Sequence, residues 1–147
     1  MLSWRNWPMR GSLTGFETWR LRGRTLEAIA LLLAARAAIA LTPLERWRKH
    51  LGLEGSDSET CPAEARRLAR HVERAAGYIP FEAKCLPRAM ALSRMLRRRK
   101  IPHRLAIAAR PASARGGNDD LHAWVEVGST IVIGNLPGPW LVLLNLP

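Results

Sequence analysis

The sequence predicts an α+β domain, in which a helix packs on a small antiparallel sheet and further helices lie N-terminal to it. Apolar residues recur at helical spacing between residues 25 and 99. After residue 103 the chain changes to short segments of alternating polarity, which is typical of strands with one buried face. Helices followed by strands favour an α+β arrangement.

We divide the chain into a basic and apolar helical extension, residues 1–60, and a core domain, residues 61–147, on which the extension packs. The 147 residues of the whole chain are enough for one domain with its own hydrophobic core. The first 23 residues interleave tryptophan and arginine and are interrupted by Pro8, Gly11 and Gly15. Such interleaving can mark binding to single-stranded nucleic acid or to a membrane interface, but we favour an arm that packs its tryptophans on the domain.

The most apolar segment predicts a helix over residues 25–41, with Thr25 as its cap and Pro43 after its end. Glu27 and Arg36 interrupt it, and it is shorter than the roughly 20 apolar residues of a membrane span. We therefore expect a buried or partner-facing helix and no transmembrane segment. A short basic helix within 44–53, a polar linker and a helix over 62–76 should follow, the last capped by Ser58 or Thr60.

The next helix is predicted to begin at Cys85, because Pro87 is tolerated only in a first helical turn. Leu86, Ala89, Leu92 and Leu96 form its apolar side. A helix N-terminus carries partial positive charge and stabilises a thiolate relative to a thiol, which makes a cysteine nucleophilic. The cations of Lys84 and Arg88 act in the same direction.

Strands are predicted over residues 104–109, 121–127 and 130–133, and the apolar end of the chain, Leu136 to Pro147, is expected to add an edge strand or to cover the core. Side chains two apart in a strand share a face, so His122, Trp124 and Glu126 should point one way. A histidine is thus presented from a sheet.

A cysteine at a helix start, followed by a strand histidine and then a polar residue on the next strand, is the order of a thiol-protease triad. The imidazole takes the thiol proton and later returns it to the leaving amine, while the third group holds the ring in one tautomer. The Cys-Leu-x-Arg helix at Cys85 and the His-Ala-Trp-Val-Glu strand at His122 resemble the transglutaminase-like cysteine-protease domain of lasso-peptide biosynthesis, the leader peptidases known as B2 proteins.

The resemblance implies a transglutaminase-like or papain-like core and a peptidase that removes the leader from a ribosomally made precursor. It makes Cys85 the nucleophile and His122 the general base, and it requires no cofactor or metal. Its implied partners are the precursor leader peptide, a separate leader-recognition protein and an ATP-dependent lasso cyclase. Trp124 beside His122 and Arg88 beside Cys85 are predicted to bind substrate.

The third triad member is open. Relatives usually carry an aspartate on the strand after the histidine, whereas here that strand leads through Gly134 into Asn135. An amide oxygen accepts an imidazole N–H, so Asn135 is our first candidate, with Asp119 and Asp120 as alternatives. The two aspartates lie in the loop before His122, where such residues commonly make turns.

The formal net charge of +11 favours an acidic partner, and the resemblance points to an acidic leader or partner surface rather than nucleic acid. The absence of a secretory signal predicts a cytoplasmic location, with Cys61 and Cys85 both free. His50, His71 and His103 lie apart, so we interpret them as surface or packed residues and predict no metal site.

Two other functions stay open. The first is a non-catalytic module that holds a leader peptide or nucleic acid, and the second is transfer of the acyl group to an amine, because an amine can attack a thioester as well as water can.

Overall fold

A computed structural model describes residues 15–56, 60–117 and 120–147, with side chains from residue 18 onward. The described ranges contain four α-helices and one four-stranded sheet. The elements are α1 (Gly15–Leu41), α2 (Leu44–Trp47), α3 (Pro62–Ala76), α4 (Cys85–Arg98), β1 (Arg104–Ala109), β2 (Leu121–Val127), β3 (Thr130–Ile133) and β4 (Leu141–Leu146). This α+β arrangement confirms the predicted fold class.

The sheet is antiparallel throughout, with strand order β3-β2-β1-β4. Strands β1 to β3 have the predicted bounds, and β4 is the edge strand expected at the end of the chain. Gly128 turns β2 into β3 with a φ of 61°, a left-handed conformation that glycine adopts without strain.

The core lies between the helices and one face of the sheet. Ala123, Val125 and Val127 alternate along β2 and are buried against this core, into which α4 places Leu92 and Leu96. His122, Trp124 and Glu126 occupy the alternate positions and are only half-buried. The sheet therefore has a helix-covered face and a second face that carries the predicted base.

Helix α1 begins at Gly15, ten residues before the predicted cap. Thr25 is consequently not a cap: its hydroxyl lies inside the helix, 3.3 Å from the Leu21 carbonyl oxygen and 2.9 Å from Nδ1 of the buried His71. Ala28, Leu32 and Ala35 on the same helix enter the core that α3 and α4 share. No helix in the described part of the chain combines the length and apolarity that spanning a membrane requires.

The predicted helices after α1 also form, with small changes. The short basic helix consists of α2 followed by a 3-10 turn over Arg48–His50. Cys61 takes the cap position of α3 without a side-chain hydrogen bond, which displaces the cap predicted at Thr60; Ser58 lies outside the described residues.

His71 and His103 are packed residues, as the sequence predicts. His103 is 3% exposed and its Nδ1 lies 2.9 Å from the Ile101 carbonyl oxygen. A carbonyl only accepts, so Nδ1 carries the proton and the neutral ring accepts the Ser93 hydroxyl at Nε2, 2.7 Å away. The Ser93 oxygen in turn accepts the Gly52 N–H at 2.9 Å. The network joins α4 to the segments before α3 and β1.

We expect the free energy of unfolding to fall as the pH drops below about 6.5. Burial lowers the pKa of His103 below its ordinary value of 6.5, an effect that Arg97 reinforces and the bond to Ile101 opposes. Burial and four nearby arginines likewise lower the pKa of His71. Below pH 6.5 the unfolded chain therefore binds protons that the folded chain does not. The stability that both histidines contribute above pH 6.5 is lost as the pH falls towards their folded-state pKa values. The loss amounts to about 1.4 kcal/mol per unit of difference between the unfolded and folded pKa.

Urea unfolding at pH 7.5 and pH 5.5 measures this loss. The His103→Gln variant is the control, since an amide can occupy the site but does not titrate. Its stability should change less between the two pH values than that of the parent protein, and an equal change would contradict the assignment to His103.

Candidate active site

Cys85 is the first residue of α4, as predicted from Pro87. Lys84 precedes it in extended conformation, and no described side chain caps the helix. The thiol is free and half-buried. A thiol in this position lies at the positive end of the helix and keeps access to solvent.

The thiol borders an open cleft of about 620 Å³ between the N-terminus of α4, the C-terminal part of α1 and the loop before β2. Ile39 and Ala40 form one wall, Leu86 and Leu121 the other, and the charged groups at its rim are Arg36, Glu82, Lys84 and Asp120. This mixed apolar and charged cleft has room for several side chains of a peptide.

His122 is the second residue of β2, at the end of the sheet nearest to Cys85. Its Nε2 lies 2.5 Å from the Gly134 carbonyl oxygen. Since that oxygen only accepts, Nε2 carries a proton, and in the matching neutral tautomer Nδ1 carries none. The ring is thus held in the tautomer that leaves one nitrogen able to take a proton.

The structure brings Cys85 to the backbone next to His122. The sulfur lies 3.9 Å from the Leu121 carbonyl oxygen, one peptide bond before His122. The two side chains share no hydrogen bond in the described structure, because the thiol faces Leu121 and the imidazole faces Gly134. His122 also belongs to the sheet face away from the helices, whereas α4 packs on the other face.

The acceptor position of a third triad member is occupied by the Gly134 carbonyl, one residue before Asn135. Asn135 itself is exposed and lines a separate shallow groove against α3, so its role as third group remains a prediction. The Asp120 carboxylate accepts the Gly116 N–H at 3.4 Å, which is the turn role expected of it. Asp119 lies outside the described residues.

Sequence reasoning missed Trp140, which stacks on His122 with ring centroids 5.1 Å apart. The Arg110 guanidinium lies 4.9 Å from the centre of the same indole. The ring centroids of Trp124 and His122 are 6.1 Å apart. The Trp124 indole donates its N–H to the Glu126 carboxylate at 2.7 Å, so Glu126 orients this indole. The indoles of Trp124 and Trp140 therefore both lie against the His122 ring. The sequence feature that could have indicated Trp140 is its position as an aromatic residue directly after Pro139.

Arg88 points away from the cleft. It donates to the Ala83 carbonyl at 2.7 Å and to the Glu73 carboxylate of α3 at 2.6 Å. The guanidinium thus holds the segment just before the nucleophile against α3. Arg36 and Lys84 are the cations that line the cleft. They are better placed to contact substrate than Arg88, for which the sequence predicts that role.

A family model described as transglutaminase-like superfamily matches residues 28–141. The chain belongs to this superfamily. The match extends from α1 to the first residue of β4 and includes both Cys85 and His122.

The transglutaminase-like superfamily includes cysteine peptidases, which agrees with a free thiol at a helix start beside a sheet that carries histidine. Comparisons with curated proteins and with solved structures give no match.

Proposed function

We propose that this transglutaminase-like protein is a cysteine peptidase that removes the leader from a lasso-peptide precursor, with Cys85 as nucleophile and His122 as general base. The observation that carries the proposal is the half-buried thiol at the start of α4, which borders a peptide-sized cleft and lies 3.9 Å from the carbonyl preceding His122.

In this mechanism the Cys85 sulfur attacks the scissile carbonyl while Nδ1 of His122 takes the thiol proton. The C–N bond then breaks, the leaving amine receives that proton, and the leader stays attached as a thioester. Water attacks the thioester, releasing the leader as a free acid and restoring the thiol. The backbone N–H of Cys85 is one candidate donor to the oxyanion of both tetrahedral intermediates.

The mechanism requires the Cys85 sulfur to turn from the Leu121 carbonyl towards His122, because the Gly134 carbonyl and Trp140 hold the imidazole in place. In enzymes without substrate the bond between nucleophile and base is often long and tightens only when substrate binds. The bond from Nε2 to Gly134 supports the proposal, since it leaves Nδ1 free to receive the proton.

The proposed partners are an acidic leader segment, a separate protein that recognises it, and an ATP-dependent cyclase that receives the core peptide. The net charge of +11 supports an acidic partner. Arg36 and Lys84 at the cleft rim are placed to meet acidic residues of a bound peptide.

We expect iodoacetamide near pH 7 to alkylate Cys85 faster than Cys61, which peptide mass spectrometry can follow site by site. Cys61 is a matched control because it also stands at a helix start, and it is the more exposed of the two. Exposure alone would favour Cys61, so the reverse order requires a larger thiolate fraction at Cys85.

The His122→Ala variant should slow alkylation of Cys85 and leave Cys61 unchanged. If both thiols react at the same slow rate, and His122→Ala alters neither, the catalytic assignment fails.

That outcome would favour the second candidate function, a non-catalytic module that holds a leader peptide in the cleft. The observation in its favour is that the hydrogen bonds of Cys85 and His122 lead to backbone carbonyls rather than to each other. A cleft without a working dyad would still bind a peptide through its apolar walls and rim charges.

A further inference from the structure

Helix α1 exposes large apolar side chains along the face opposite to the one it buries. Trp19 is 75% exposed, Leu26 64%, Leu33 45% and Leu41 80%. Spacings of seven or eight residues place these side chains in one stripe along a helix. We call these four residues the α1 stripe.

The α1 stripe is long and regular. At about 1.5 Å per residue it extends roughly 30 Å along the helix. Only small residues, among them Gly23, Ala30 and Ala37, lie between its large side chains on that face. Large side chains that recur about every seven residues, with small ones between them, form the kind of surface on which a second helix packs. An extended strand presents a side chain every two residues and would not match this spacing.

One edge of the α1 stripe is cationic. Arg22 and Arg36 are exposed and lie fourteen positions apart, which places them on one line beside the stripe. Arg74 of α3 joins this edge across a groove of about 460 Å³, which Leu21, Leu26, Ile29 and Tyr78 also line. Neither Arg22 nor Arg74 forms an ion pair with another described residue.

Among the side chains that the structure describes, the opposite edge of the helix offers no free acidic group to a partner. Glu27 is the acidic residue of α1 whose side chain the structure describes, and both its oxygens are engaged, by Arg98 at 3.2 Å and Arg99 at 2.9 Å. Among the described side chains, an occupant of the α1 stripe therefore meets Arg22, Arg36 and Arg74 along one edge, with Glu82 as the acidic neighbour of Arg36 at the cleft.

We propose that the α1 stripe is a docking surface for an amphipathic α-helix of a different protein, whose apolar seam packs on the stripe and whose acidic edge meets Arg22, Arg36 and Arg74. This proposal does not depend on the catalytic assignment, although Arg36 also lines the cleft beside Cys85.

A second copy of this chain fits the surface poorly. When two identical helices pack antiparallel, the same edge of each faces the other, so Arg22 of one copy would lie near Arg36 of its partner. Like charges in such flanking positions oppose association, whereas acidic residues there stabilise it and select the partner. Charge complementarity thus favours a heterologous acidic helix.

Two designed helical peptides of about six turns test the proposal. Both carry the same leucine seam, but one has glutamate and the other lysine at the flanking positions. Fluorescence anisotropy of the labelled peptides on the full chain should show that the acidic peptide binds at least about tenfold more tightly than the basic one, and that added salt reduces this difference.

Leu26→Glu and Leu33→Glu should each weaken binding of the acidic peptide about tenfold or more, because each removes a buried leucine contact and adds a repelled charge. Leu143→Glu on β4 is the matched control, since Leu143 is 62% exposed and Leu26 is 64% exposed; it should alter binding less than about twofold. Circular dichroism verifies that the variants fold.

Three results would overturn the proposal: no binding of the acidic peptide, equal effects of Leu26→Glu and Leu143→Glu, or equal affinity for the two peptides. Sedimentation of the unliganded protein decides the remaining alternative. A dimer that Leu26→Glu dissociates would assign the α1 stripe to a second copy and refute the heterologous helix.

Discussion

Replacing Cys85 by alanine is expected to lower leader cleavage by about a thousandfold or more while the protein stays folded. Without the sulfur no thioester can form, and removal of a nucleophile costs an enzyme of this kind most of its rate enhancement. Mass analysis of a lasso-peptide precursor, incubated with its recognition protein, its cyclase and this protein, measures loss of the leader directly. His122→Ala should have an effect of similar size, because the two residues act as a unit.

Cys61→Ala is the control for this experiment. It removes the other free thiol, which also stands at a helix start but does not line the cleft. Cleavage by Cys61→Ala should match that of the parent protein. Unchanged cleavage by a well-folded Cys85→Ala variant would refute the peptidase proposal and leave the binding module as the interpretation of the cleft.

The local chemistry of the sequence is sufficient to locate the elements that carry the site. Pro87 cannot sit in the interior of a helix, so α4 had to begin near Cys85. The alternation from residue 121 to residue 127 is regular enough to define β2 and to assign His122 to the half-buried face. Both inferences depend only on neighbours along the chain, which explains why they succeed.

The start of α1 was not predictable in the same way. Gly11, Gly15 and the tryptophans around them indicate an irregular arm, yet the helix begins at Gly15. The added turns are mostly exposed: Trp19 is 75% exposed, so the prediction that the arm packs its tryptophans on the domain is wrong for Trp19, while Trp4 and Trp7 lie outside the described residues. The long-range contact at the end of these turns is the Thr25 hydroxyl, 2.9 Å from Nδ1 of His71, which fixes the helix at Thr25 and not the turns before it.

The groups that contact the His122 imidazole could not be predicted from the sequence either. The acceptor of its N–H is a backbone carbonyl, which every residue possesses and which no residue type signals. Trp140 reaches His122 only because β4 returns beside β1, and this pairing sets two segments distant in sequence side by side. A search for a polar side chain therefore pointed to Asn135 and could not find the carbonyl of its neighbour Gly134.

Gly134→Ala is expected to destabilise the protein by about 2–4 kcal/mol and to reduce leader cleavage as well. Gly134 has a φ of 79°, and a Cβ there would lie 3.0 Å from Cα and 3.1 Å from Cβ of Trp124, and closer still to the Ala123 carbonyl oxygen. These are mostly backbone atoms of β2, so the segment after β3 must move away from the strand. The carbonyl that holds His122 Nε2 belongs to the displaced residue, and the imidazole should lose its fixed orientation.

Gly128→Ala separates this steric effect from backbone strain alone. Gly128 also has a positive φ, 61°, but a Cβ there meets only the Thr60 hydroxyl at 3.4 Å. We expect it to cost about 1 kcal/mol, the penalty of the left-handed conformation, and to leave cleavage unchanged. Urea unfolding and the cleavage assay on both variants make the comparison. Equal destabilisation would contradict the close approach of Gly134 to β2, and a destabilised but fully active Gly134→Ala protein would show that the Gly134 carbonyl does not position the base.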